Sequence, residues 1–248
     1  RWQAANGFIP NYGFTKAAYW VKFTVNNQTN NPDWILHFEY PLMDTIELYS
    51  LNAQGQYQQQ YSTGDAYPFS QRPIKDRGFA LALNLTPQHT QTFYLRLQRR
   101  DSMIIAMSLL TRDAFRGQQQ NEGFWFGMYY GAVLIILLYN AYLYVLLREK
   151  NHLYYVMVLA CYALIELSLN GMGTVYFWGE YPEVAKRLRP FVISLFALAS
   201  FTLTKSFLEI KHITLKKYNL DPFFLGFIIL TLIGAVVFPF TLSIQLSM

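Results

Sequence analysis

The sequence is poor in charge and almost without cysteine. Of its 248 residues 14% are charged, where a soluble domain carries about a quarter. The single cysteine, Cys161, lies inside an apolar run. One thiol excludes an intrachain disulfide framework, which leaves the compartment open, because larger domains fold without such staples. Catalytic signatures are absent too: no Gly-x-Ser-x-Gly elbow, no phosphate-binding loop and no Gly-Gly-Asp-Glu-Phe cyclase motif. His37, His89, His152 and His212 are isolated, without metal-ligand spacing. Asp44, Glu47 and Asp65 are the carboxylates a glycosidase pair would draw on, but nothing in their spacing sets two of them face to face. No enzyme or cofactor is expected within this chain, and the sequence names no metal ligands. The net charge of +5 is modest, and many of the bases flank apolar runs. Membrane flanks explain that better than nucleic acid does.

What charge there is falls unevenly. Residues 1 to about 120 resemble a water-soluble domain; the remainder is dominated by long apolar runs. In "AYWVKFTV", Tyr19, Val21, Phe23 and Val25 alternate with Trp20, Lys22 and Thr24, the period of a half-buried strand. "WILHFEY" repeats the alternation, and the "NNQTNNPD" between them is turn chemistry. "TIELYSL", "GFALALNL", "TFYLRLQ" and "MIIAMSLL" supply further strands. So many short strands with no amphipathic helix predict an antiparallel sandwich, with a barrel as the alternative.

The second half predicts four membrane helices, near 124–147, 153–171, 190–208 and 223–244. Trp125, Tyr129, Tyr154 and Trp178 lie near their ends, as interfacial aromatics do. With the first domain outside, Arg148, Lys150, Lys211, Lys216 and Lys217 fall in inner loops, against Lys186, Arg187 and Arg189 in an outer one, a weak bias for that orientation. Lys205 lies close enough to a helix end to snorkel. Glu166 is deeper, and as an intramembrane acid it is a functional candidate. Gly127 and Gly131, one turn apart, permit close helix contact, within the bundle or in a homodimer.

The stretches "YWVKFTV", "YPLMDTIELY" and "TGDAYPFSQRPIKDRGFALAL" resemble the type 2 extracellular domain of the bacterial seven-transmembrane receptors with diverse intracellular signalling modules. "GFWFGMYYGAVLIILLYNAYLYVLLREKNHLYYV" and "LSLNGMGTVYFWG" are similar to the start of that family's membrane domain. The resemblance covers nearly the whole chain. It implies an all-β jelly-roll sandwich akin to carbohydrate-binding modules, followed by an α-helical transmembrane bundle of seven spans and a cytoplasmic output domain of diguanylate cyclase or histidine kinase type. It implies a multi-pass protein of the bacterial inner membrane with its N-terminal domain in the periplasm. The domains are then a sensor sandwich over 1–112, a juxtamembrane linker over 113–123 and a membrane domain over 124–248. A leader peptide, about three spans and the output domain are expected outside this sequence.

The candidate ligand site is the run Thr63–Phe79, a polar connection of the kind that carries binding residues on a rigid scaffold. Arg72 and Arg77 could donate to hydroxyls or carboxylates, Asp65 could accept from hydroxyls, and Tyr67 could stack on an apolar ring face. The same arginines could instead pair with Asp65 and Asp76 and merely fix the loop. Trp20 and Trp34 pose a similar choice between sugar platform and core lid, with Trp34, beside a turn, the better platform candidate. The leading reading is a sensor: the sandwich binds a small, carbohydrate-like ligand and biases the helix bundle within the lipid bilayer. A transporter with an accessory domain, which needs polar groups in mid-membrane, and an interaction protein are the alternatives.

Overall fold

A computed structural model describes residues 2, 9–15, 17–52, 54–99, 102–207 and 226. The chain divides into two compact units, residues 1–122 with 169–182, and residues 123–168 with 183–248.

Among the described residues the first unit has nine strands: β1 (Asn11–Phe14), β2 (Ala18–Asn26), β3 (Asp33–Phe38), β4 (Thr45–Leu51), β5 (Tyr57–Thr63), β6 (Phe79–Asn84), β7 (Thr90–Gln98), β8 (Ser102–Ile104) and β9 (Met107–Thr111). They form a four-stranded sheet in the order β2-β7-β4-β5, a three-stranded sheet β6-β3-β9, and a small β1-β8 pair, all antiparallel. The sandwich expected from the alternating runs is therefore present. Its core follows from the period of two: Phe93, Leu95 and Leu97 of β7 and Ile46 and Leu48 of β4 meet Leu36 and Phe38 of β3 and Phe79, Leu81 and Leu83 of β6. Tyr19, Val21, Phe23 and Val25 pack against that core as the alternation requires.

The turn after β2 is closed by the buried Asn27. Its amide donates to the carbonyls of Asn31 and Leu85, and its carbonyl accepts from Thr29. "MIIAMSLL" is two strands rather than one, because the chain leaves the β1-β8 pair at Ile105 and enters the three-stranded sheet at Met107.

The outer face of the three-stranded sheet is covered. Ile35 and Ala80 pack against Phe115, with Ile74 and Leu110 beside them. Phe115 belongs to α1 (Arg112–Leu147), which starts directly after β9 and runs for 36 residues. Its first turns, through Glu122, belong to the sandwich unit.

In the second unit the described residues of α1, α2 (Lys150–Leu169) and α3 (Pro182–Phe207) are long and apolar enough to cross a membrane. Pro190 lies inside α3. The fourth expected span, 223–244, lies outside the described residues except Gly226. A Cβ added at Gly127 or Gly131 would meet nothing within 4 Å, so neither glycine makes a close contact with the described chain.

Candidate functional site

The segment Thr63–Phe79 leaves the edge strand β5, makes a short 3-10 turn at Phe69–Gln71 and enters β6. Arg72 anchors it. This side chain is buried, and Nη1 donates to the carbonyls of Asp76 (2.8 Å), Arg77 (3.3 Å) and Gly78 (2.7 Å). Its guanidinium lies over the rings of Phe79 and Phe69, 4.3 and 5.1 Å from their centroids. Burial draws the Arg72 pKa down to about 10, while Asp65 and Asp76 favour its charge, so it stays cationic at neutral pH.

Asp76 is the second anchor. His37 Nε2 lies 3.0 Å from its Oδ2, the Gly78 amide donates to the same oxygen at 2.9 Å, and Gln119 Nε2 of α1 donates to Oδ1 at 2.8 Å. Burial pushes the Asp76 carboxyl up, but the bonds from His37, Gln119 and Gly78 outweigh it and hold it below the ordinary aspartate value. An ionised carboxylate only accepts, so His37 Nε2 is the donor in this contact. The His37 ring stands edge-on to Phe115, and its buried Nδ1 has no hydrogen-bond partner among the described residues. His37 thus points outward from β3, as the alternation predicts, but under α1 rather than into solvent.

Arg77 reaches the same helix. Its Nε donates to Glu122 Oε2, and Nη1 donates to the carbonyls of Glu39 and Asn170. Further bonds go to the segment Leu169–Pro182, which follows α2 yet belongs to the sandwich unit. The Phe69 amide donates to the Gly179 carbonyl at 2.8 Å, and the Ser70 amide and hydroxyl donate to the two oxygens of Glu180 at 2.9 and 2.7 Å. The exposed Lys75 closes the turn, its Nζ donating to the carbonyls of Phe69 and Ser70. Two glycines permit the approach. Gly171 has φ +82°, and a Cβ there would lie 2.5 Å from the Arg77 carbonyl oxygen. One at Gly179 would lie 2.7 Å from the Phe69 Cβ.

The expected site residues divide accordingly. Arg72 and Arg77 come together with Asp76 in one polar cluster, and Asp65 acts on Arg72 electrostatically. Tyr67 is half-buried, with its hydroxyl 3.3 Å from Ser62 Oγ. Trp34 packs against the core and donates from Nε1 to the Asn31 carbonyl. Glu166 sits apart, half-buried on α2. Gln119, Glu122, Gly179 and Glu180 were not among the candidates, since each lies in a stretch whose sequence carries no strand or ligand pattern. Among the described residues no group of three or more His, Cys, Asp or Glu could hold a metal ion.

A separate cleft of about 510 Å³ opens between the edges of the two sheets, with Ser50, Gln60, Tyr61, Asn84 and Thr92 among its lining and no charged group.

Two family descriptions match the chain. Residues 1–111 match 7TMR-DISM extracellular 2, and residues 122–248 match 7TM diverse intracellular signalling. The curated proteins searched gave no match. The order of the two matches is the order of the two architectures, a sandwich running directly into apolar helices long enough to span a membrane. The chain belongs to the family of seven-transmembrane receptors with diverse intracellular signalling modules, and comprises its type 2 extracellular domain and membrane-domain sequence.

Proposed function

We propose that this chain is the sensing and transmitting part of a bacterial inner-membrane receptor, with the sandwich in the periplasm and a cytoplasmic output domain of diguanylate cyclase or histidine kinase type. The sandwich takes a small, carbohydrate-like ligand, and the bound state biases the packing of the helix bundle. A ligand acts this way only through different affinities for two states. The observation that carries the reading is the bonding of Thr63–Phe79. One polar cluster ties the sandwich both to the first turns of α1, through Gln119 and Glu122, and to the segment after α2, through Gly179 and Glu180.

A flexible Gly/Ser insert between Arg116 and Gly123 tests it in the full-length receptor. The insert interrupts α1 between Phe115, which packs on the sandwich, and the apolar run from Phe124, within the stretch that carries Gln119 and Glu122. Output should become independent of the stimulus while the protein still reaches the membrane at normal level. Stimulus-dependent output that survives the insert would overturn transmission through α1.

A further inference from the structure

The outer face of the four-stranded sheet carries a set of aromatic side chains that the core does not use. The antiparallel register sets them in rows. Trp20 of β2 lies opposite Arg96 of β7, which lies opposite Glu47 of β4; Lys22 lies opposite Tyr94, which lies opposite Tyr49. Tyr57 of the edge strand pairs with Leu51. The rings touch across the strands. Trp20 and Tyr49 have centroids 5.6 Å apart, Tyr57 and Tyr94 are edge-to-face at 5.0 Å, and Trp2 contacts Tyr94 as well at 6.0 Å. Trp20 is 51% and Tyr57 64% exposed. A cluster of large rings left in water on a sheet face is unusual without a use.

The polar groups between the rings are already oriented. Glu47 accepts from Arg96 Nη1 at 3.1 Å and from the Tyr49 hydroxyl at 2.8 Å, while Arg96 Nη2 donates to Gln98 at 2.9 Å. Each of these groups keeps further donors or lone pairs for a ligand. Arg96 and Glu47 cancel in charge. Lys22, with its ammonium 5.9 Å from the Tyr94 centroid and no carboxylate partner among the described residues, leaves this face net positive.

We infer that this face, built by Trp20, Lys22, Glu47, Tyr49, Tyr57 and Tyr94, binds an oligosaccharide bearing carboxylate groups. The inference rests on the sensor reading and names its site and ligand class. Three features of the chemistry carry it. Exposed ring faces accept the apolar C–H face of a pyranose. The fixed Glu47–Arg96 pair offers both an acceptor and donors, as vicinal hydroxyls need. The excess positive charge at Lys22 complements a sugar acid. A protein partner is less suited, because charged and amide groups interrupt the apolar area throughout, and strand spacing of about 4.8 Å spreads the rings along a line suited to a chain of sugars.

The test uses the whole chain in lipid nanodiscs, with oligogalacturonate, the neutral maltohexaose and poly-glutamate as probes. Oligogalacturonate should bind at least tenfold more tightly than maltohexaose. The pair Trp20→Ala and Tyr57→Ala should weaken it at least tenfold with an unchanged melting midpoint, and Lys22→Gln should remove the preference for the acidic sugar. Three results would each overturn the inference: no retention of oligogalacturonate, equal retention by the double variant, or equal retention of poly-glutamate by the wild-type chain. Retention by the wild-type face with no change of output in the full-length receptor would uphold this site and remove the sensor reading instead. Stimulus-driven output with no glycan retained would do the reverse.

Discussion

At Arg72 a single guanidinium nitrogen serves three backbone carbonyls while the charge rests between two aromatic rings. Truncation to alanine strips those carbonyls of their donor inside the protein, which costs about 2–4 kcal/mol. Arg72→Ala should therefore lower the thermal midpoint of the chain by about 5–10 °C, read from tryptophan fluorescence in nanodiscs. If the midpoint is unmoved and only affinity for a sugar falls, Arg72 is a ligand contact rather than an anchor. Asp76 gives the pH dependence. Its folded-state pKa lies below the ordinary aspartate value, so its contribution is complete above about pH 4 and is lost as pH falls through the folded value. The wild-type midpoint should drop on acidification below about pH 4, and Asp76→Asn should flatten that part of the profile while lowering the midpoint at neutral pH. Parallel acid profiles for the two proteins would show that other carboxylates govern it.

The segment Leu169–Pro182 is the element with the most specific fit. Gly171 combines a left-handed backbone with contact distances of 2.5 Å to the Arg77 carbonyl oxygen and 2.7 Å to the Pro41 Cβ for any added Cβ. Gly171→Ala must displace this segment or the Thr63–Phe79 run, at a cost of about 1–3 kcal/mol. Amide hydrogen exchange over Phe69–Gln71 and 174–182 should accelerate together in the variant while β3 and β7 stay protected. Exchange unchanged in both segments would mean that the contact bears no strain. The neighbouring elements differ in how far their sequence announces them. β2, β4 and β7 were legible because one face is buried and the alternation survives, and β3 and β6 as short, largely apolar runs, since both of their faces are buried. β5, "YQQQYST", was not: it is an edge strand whose first four residues are exposed, so no apolar period marks it. The first turns of α1, "RDAFRGQQQNE", hide for a related reason, since Phe115 alone is buried there. The polar cluster was half legible. The arginines and Asp76 stand out in a charged run, but their partners Gln119, Glu122 and Glu180 lie 43, 45 and 110 residues away from the atoms they bind. Trp20 and Trp34 show the limit most plainly. Both occupy strands, and only the packing against Asn31 and the core tells the half-buried ring from the exposed one.

For the whole molecule, orientation in the membrane is the property on which the receptor reading depends. Reporter fusions after Arg148 should read as cytoplasmic, and one within Gly179–Glu183 as periplasmic, together with the sandwich. A cytoplasmic signal from the sandwich would overturn that orientation. The unbroken length of α1 has a further consequence. Its 36 residues extend about 54 Å at 1.5 Å each, against a hydrocarbon thickness of about 30 Å. Such a rod barely stretches, because lengthening it breaks its hydrogen bonds, but it pivots easily. A swing of about 5° carries one end about 5 Å sideways relative to the other. On the receptor reading, force exerted near Phe115 and Gln119 would emerge as lateral displacement at the far end near Leu147, as by a lever. The expected signature in a spin-labelled receptor is a change in distances measured across the membrane plane, with distances along the helix axis held constant.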